Sequence, residues 1–133
     1  MTGMTVEIIS FGYGHGPAPT AHLTYDVRRH FRDPHINPRL RGLTAADRPV
    51  VDTVLGTPGV PQVIASIVEG VRGFLDGPSP GLVRVAIGCV GGRHRSAVIA
   101  SQVADRLSPH ARVRLTHRDI HRPVINRGLK GMS

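Results

Sequence analysis

Apolar positions along this chain come in short strand-like runs, separated by longer stretches with helical spacing. Residues 4–10 (MTVEIIS), 22–28 (HLTYDVR), 82–88 (LVRVAIG) and 111–116 (ARVRLT) concentrate Val, Ile and Leu over strand lengths. The third run has the pattern of a strand buried on both faces. Thr44 followed by Asp47 predicts a helix entry with Thr44 as N-cap, the helix running to Leu55 and stopped by Gly56-Thr57-Pro58. Val60, Val63, Ile64, Ile67, Val68, Val71, Phe74 and Leu75 share one helical face, starting near Pro61 and closed off by residues 77–81 (GPSPG). A third helix is expected over 96–107, before Ser108-Pro109-His110. Strands alternating with helices predict an α/β fold. The expectation is one three-layer domain whose central four-stranded sheet, mostly parallel or mixed, is flanked by helices.

The pattern changes most abruptly over residues 83–96 (VRVAIGCVGGRHRS), where a buried strand gives way to a glycine turn and then a helix. The first N–H groups of a helix have no intrahelical acceptor, and the positive end of its dipole attracts anions. Gly91 and Gly92 allow the backbone to curl into a nest of N–H donors. Arg93, His94, Arg95 and Ser96 add side-chain donors at the same place. A phosphate or carboxylate cradle is expected there. Asp26 and Arg28 fall at the end of the second strand, at the edge where open α/β sheets put ligand groups. Arg39 and Arg41, further along a charged and proline-rich stretch, read as solvated surface charge. The earlier loop at 10–17 (SFGYGHGP) reads as a plain glycine turn, with ligand contact through Tyr13 or His15 as the alternative.

Charge sharpens this reading. The formal net charge is +8, with Lys130 the only lysine and arginine supplying the remaining positive side chains. Such an excess attracts nucleic acid and phosphorylated metabolites, although an arginine bias also follows from coding composition. No apolar run approaches a membrane span and no leader pattern opens the chain, so a cytoplasmic domain without a membrane partner is expected. The single cysteine excludes an internal disulfide. Residues 1–120 read as one domain and 121–133 as a basic, mobile tail.

Enzyme chemistry has one opening. Cys89 and Arg95 fit a Cys-x5-Arg-Ser pattern like the phosphate loop of protein tyrosine phosphatases, with Cys89 as nucleophile and Arg95 as clamp. Gly88 stands where those enzymes carry His, and no loop offers an obvious acid. Cys89 as a small apolar residue ending a strand is the preferred reading. His117-Arg118-Asp119 lacks the Asn that a kinase catalytic loop needs, since Val124 takes that place. His117 and His121 do not share a face at a strand end, so no metal or other cofactor is expected.

Several motifs occur together in order: Ser10-Phe11-Gly12-Tyr13, Asp26-Val27-Arg28, Pro34-His35, Pro38-Arg39-Leu40-Arg41, Gly88-Cys89 with Gly91-Gly92 and His94-Arg95-Ser96, and His117-Arg118-Asp119. They resemble the C-terminal domain of the RNase adapter protein RapZ, the YvcJ family, over residues 4–120. In that family a P-loop nucleotide-binding half precedes this domain, and the resemblance does not extend to it. The resemblance implies an α/β domain likened to a phosphofructokinase subdomain. It also implies a non-enzymatic sensor of an aminosugar phosphate such as glucosamine 6-phosphate, or of a nucleotide phosphate, coupled to small RNA and an RNase. A pocket at Gly91, Gly92, Arg93, His94, Arg95 and Ser96, closed by Asp26, Arg28 and His35, is the implied site. Arg118, Arg122, Arg127 and Lys130 are the candidates for RNA contact, and a second copy of the chain is a further candidate partner. Gly14 stands where the family often has Lys, and Val90 where it often has Thr.

Overall fold

A computed structural model describes residues 4–29, 37–78 and 81–123. Among these residues four strands form, β1 (Thr5–Gly12), β2 (Leu23–Asp26), β3 (Leu82–Cys89) and β4 (Arg112–His117), with helices α1 (Arg48–Leu55), α2 (Val60–Asp76) and α3 (Arg95–Leu107). The four strands make one sheet in the order β2-β3-β1-β4. Every pairing in it is parallel, which decides between the parallel and mixed sheets the sequence allows. The expected α/β domain is therefore observed.

Alternation along the strands sorts the two faces. Val6, Ile8, Val83, Val85, Ile87 and Cys89 point the same way and share one core with all three helices. From α2, Val60, Ile64, Ile67 and Val71 are buried in it. At roughly 1.5–3 kcal/mol for each fully buried aliphatic side chain, this stripe contributes on the order of 10 kcal/mol before chain entropy is counted. Among the described residues no single helix is long and apolar enough to cross a membrane.

The opposite face differs from the flanking layer of helix expected there. It carries Glu7 between Arg84 (2.5 Å) and Arg114 (3.6 Å), both across the sheet in register. A single 3-10 turn (Tyr13–His15) and coil overlie part of it: Tyr13 packs edge-on against Phe11 (4.7 Å between ring centroids), and the Thr20 carbonyl accepts from Arg84 (3.5 Å). The reason is length. Only residues 13–22 join β1 to β2, and a parallel crossover with a helix needs a dozen residues or more.

Helix α1 also begins later than Thr44 suggests. Thr44 and Asp47 close a separate turn: Thr44 N–H donates to Asp47 Oδ2 (2.8 Å), and Asp47 N–H to the Thr44 carbonyl (2.9 Å). A helix already running at Ala45 would need an N–H from Pro49, which has none. Asp47 becomes the N-cap, and Pro49 sits in the first turn where its missing donor does no harm.

Candidate functional site

Because the sheet is all parallel, the C-terminal ends of its strands gather at one edge. From β1 the chain leaves toward β2, past β3; from β3 it leaves toward β4, past β1. The connections thus part in opposite directions between β1 and β3, the switch point at which open α/β sheets form a ligand crevice. Gly12 ends β1 there, opposite Cys89 in register. The turn after β3 packs directly on it. A Cβ on Gly12 would lie 2.6 Å from the Gly91 carbonyl oxygen and 2.8 Å from Gly92 N. Gly92 has φ +78°, the left-handed region that a nest requires.

Behind this turn runs a buried hydrogen-bond relay. Gly92 N–H donates to Cys89 Sγ (3.3 Å), and Ser96 Oγ donates to the Phe11 carbonyl (3.2 Å). Cys89 Sγ and Ser96 Oγ are 3.1 Å apart, so with the serine proton directed at Phe11 the thiol donates to Ser96. Cys89 is buried within the core. Its sulfur is thereby held inside the relay behind the turn.

The three basic side chains of the turn behave differently from donors held open for an anion. Arg93 donates to the carbonyls of Arg122 (3.0 Å) and Gly42 (2.9 Å). His94 Nε2 pairs with the Leu43 carbonyl (2.7 Å), which as an acceptor fixes the Nε2–H tautomer. Arg95, 2% exposed, donates through one nitrogen to the carbonyls of Arg28 (2.5 Å) and Val27 (3.4 Å). The trio thus draws three loops onto the turn. Backbone donors are another matter. Among the described residues the N–H groups of Gly91, Ser96 and Ala97 meet no acceptor, and Ser96 and Ala97 are fully buried.

Asp26 and Arg28 meet at the end of β2. The Arg28 guanidinium donates to both Asp26 oxygens (2.6–3.1 Å) and stacks 3.7 Å over the Tyr13 ring. That bonding holds the Asp26 carboxyl below its usual range and raises the Arg28 pKa, while burial, then Asp26, raises Tyr13. His35, Arg127 and Lys130 lie outside the described residues.

At the end of β4, Arg118 turns back into the structure. It donates to the Pro17 (2.7 Å) and Gly12 (3.4 Å) carbonyls, binds Asp119 and lies over Phe11. Of the proposed RNA contacts, Arg122 alone among the described residues is exposed without such ties on its side chain. The stretch from His121, expected to be mobile, is held at its start: Arg93 grips the Arg122 carbonyl, and His15 Nε2 pairs with that of Pro123 (3.1 Å). Asp119, a residue the sequence reading left outside the site, is 2% exposed and accepts the Gly12 N–H (2.8 Å). The His-Arg-Asp run at a strand end was the signal that could have found it.

His117 faces the helix side, between Ser10 (2.6 Å at Nδ1) and Ser101 (3.3 Å at Nε2). Burial lowers its pKa. The stabilising contribution of neutral His117 is complete above about pH 6.5 and is lost as pH falls through the lowered folded value. Thermal midpoints measured against pH should therefore fall on the acid side, and less steeply in His117→Gln.

A parallel α/β sheet whose glycine turn and helix start meet at the switch point is the build of an anion-binding domain. The RapZ C-terminal domain family matches residues 4–121, and the chain belongs to that family. Curated relatives are each called a nucleotide-binding protein. That of Thermobifida fusca is 37% identical over 125 residues, covering 91% of this chain and 42% of the relative. That of Paraburkholderia phymatum is 36% identical over 121 residues (89% and 40%), and that of Lactiplantibacillus plantarum 32% over 120 (88% and 40%). The chain spans about two fifths of the length of these relatives.

Proposed function

We propose that this domain binds a phosphorylated small molecule, without turning it over, at the turn between β3 and α3. The observation that carries the reading is the set of N–H groups on Gly91, Ser96 and Ala97 that meet no acceptor among the described residues. Buried N–H groups left without acceptors are costly, and at a helix start a phosphate satisfies them and the dipole together. The name borne by the longer relatives also supports a phosphate-bearing ligand. In this reading Arg93, His94 and Arg95 shape the site rather than clamp the anion. Arg28, held by Asp26 and Tyr13, supplies a further cation at its rim, and no step needs Cys89.

Gly91 gives a clean test. A Cβ there meets nothing within 4 Å, and its φ lies outside the left-handed region, so Gly91→Ala should keep stability within about 0.5 kcal/mol. The added methyl stands in the open space in front of the turn, where the ligand is proposed to sit, and should weaken binding at least roughly tenfold. Calorimetric titration of glucosamine 6-phosphate and inorganic phosphate into both proteins checks this. Unchanged affinity in Gly91→Ala, or no binding to the wild type, sinks the reading.

A second reading, RNA contact, has its own observation. Arg112 and Arg114 are exposed on an edge strand, on the Glu7 face of the sheet, where none of α1, α2 and α3 packs. That reading predicts RNA affinity falling steeply with salt and lost in Arg112→Ala/Arg114→Ala, with Gly91→Ala without effect.

A further inference from the structure

The outer edge of β4 takes no part in the site at the turn between β3 and α3. Among the described residues β4 ends the sheet, with β1 on its inner side and no strand beyond it. Successive residues of a strand direct their N–H and C=O groups to opposite edges. Arg112 N–H donates to the Met4 carbonyl (3.0 Å) and Arg118 N–H to the Ser10 carbonyl (2.9 Å), so Arg112, Arg114, Thr116 and Arg118 bond inward. Val113, Leu115 and His117 therefore direct their backbone groups outward, where they meet no partner among the described residues.

The side chains of this edge divide by face. Leu115 lies in register with the fully buried Ile8, yet it stays 38% exposed because no strand flanks it on the outer side. On the other face Arg84, Glu7 and Arg114 stand in one row across β3, β1 and β4, with charges positive, negative, positive. Arg112 is exposed, and its guanidinium meets no carboxylate among the described residues. Charges on an edge strand guard it against self-pairing, and the guard here is specific. Antiparallel pairing of two β4 edges centred on Val113, Arg114 or Leu115 sets an arginine opposite an arginine, which is unfavourable. Residues 124–133 of this chain carry Arg127 and Lys130 and no acidic side chain, so they complement the row no better. A carboxylate placed beside Arg114 extends the row with a negative member, and the neighbouring side chains of the same strand then fall over Leu115.

We propose that the β4 edge is a docking surface for an extended, acidic segment of a partner protein. The segment adds a strand to the sheet, with carboxylates facing Arg112 and Arg114 and apolar side chains covering Leu115. Main-chain bonds to Val113, Leu115 and His117 supply affinity, and the alternation of acidic and apolar residues supplies selectivity. RNA would meet the same arginines without needing the outward N–H groups, and that difference decides between the two.

A capped peptide of alternating Glu and Val is the probe, with the same residues in two blocks as control and a single-stranded RNA beside them. The alternating peptide should bind at least roughly tenfold tighter than the block control. Leu115→Pro removes an outward N–H that β1 does not use, a change that edge strands accept. It should bind the peptide at least about fivefold more weakly than Leu115→Ala, which keeps that N–H. Thermal midpoints of both variants report whether they are folded. Hydrogen exchange on the wild type stands without any variant: bound peptide should slow the amides of Val113, Leu115 and His117. Equal affinity for the two peptides, no peptide binding, or binding without protection of those amides overturns the proposal. So does RNA binding lost in Arg112→Ala/Arg114→Ala and kept in folded Leu115→Pro, if the alternating peptide has no advantage over its control.

Discussion

Gly12→Ala is expected to destabilise the domain by about 3 kcal/mol or more, a large share of the roughly 5–15 kcal/mol that holds a typical domain folded. The new Cβ would stand 2.6 Å from the Gly91 carbonyl oxygen and 2.8 Å from Gly92 N. Both are backbone atoms of a turn fixed on its far side by the Gly92–Cys89 hydrogen bond, so no rotamer change relieves the overlap. Relief requires β1 or the turn to move, which breaks the Gly12–Asp119 bond or the Cys89–Ser96 relay. Urea unfolding at constant m-value gives the number, and a loss under 1 kcal/mol would show that the two turns yield more easily than their packing indicates.

Arg95→Ala carries the second large effect, roughly 3 kcal/mol or more. Arg95 is the largest fully buried side chain among the described residues, and its guanidinium supplies donors to the Val27 and Arg28 carbonyls at the end of β2. Truncation leaves buried carbonyls without a donor and opens a cavity the size of the side chain. Arg95→Lys should recover part of the loss, because an ammonium reaches one carbonyl but lacks the planar fork. Thermal unfolding of both variants is the measurement, and an Arg95→Ala protein as stable as wild type would refute the bracing role. Loss of ligand binding in Arg95→Ala would thus report unfolding as readily as a missing clamp, an ambiguity that Gly91→Ala avoids.

Much of the architecture was legible in the residues. The strands and α2 follow from the runs and spacing of Val, Ile and Leu, because those side chains make the core whichever loops join them, whereas α1 was announced by its entry and stop residues. The glycine turn and helix start were equally readable, since Gly92 needs its positive φ and few other residues accept one. Side-chain direction was not. Nothing in the run Arg93-His94-Arg95 tells that its donors meet carbonyls of Gly42, Leu43, Arg28 and Arg122, because those acceptors arrive from loops dozens of residues away. Asp119 escaped for the same reason: its partner Gly12 is 107 residues distant. The late start of α1 was legible in principle, for Pro49 forbids a helix begun at Ala45.

The central position of β1 bears on how the chain reaches its native state. Its partners β3 and β4 lie far along the chain, Glu7 meeting Arg84 across 77 residues and Ser10 meeting His117 across 107. A strand made early by the ribosome therefore waits, with both of its edges open, until nearly the whole domain has been synthesised. Contacts so non-local predict slow refolding, with little protection of β1 amides until α3 has crossed over and β4 has docked. During that interval the Val6-Glu7-Ile8-Ile9 segment is the stretch most exposed to pairing with another chain, and Glu7 is the charge within it that opposes such pairing.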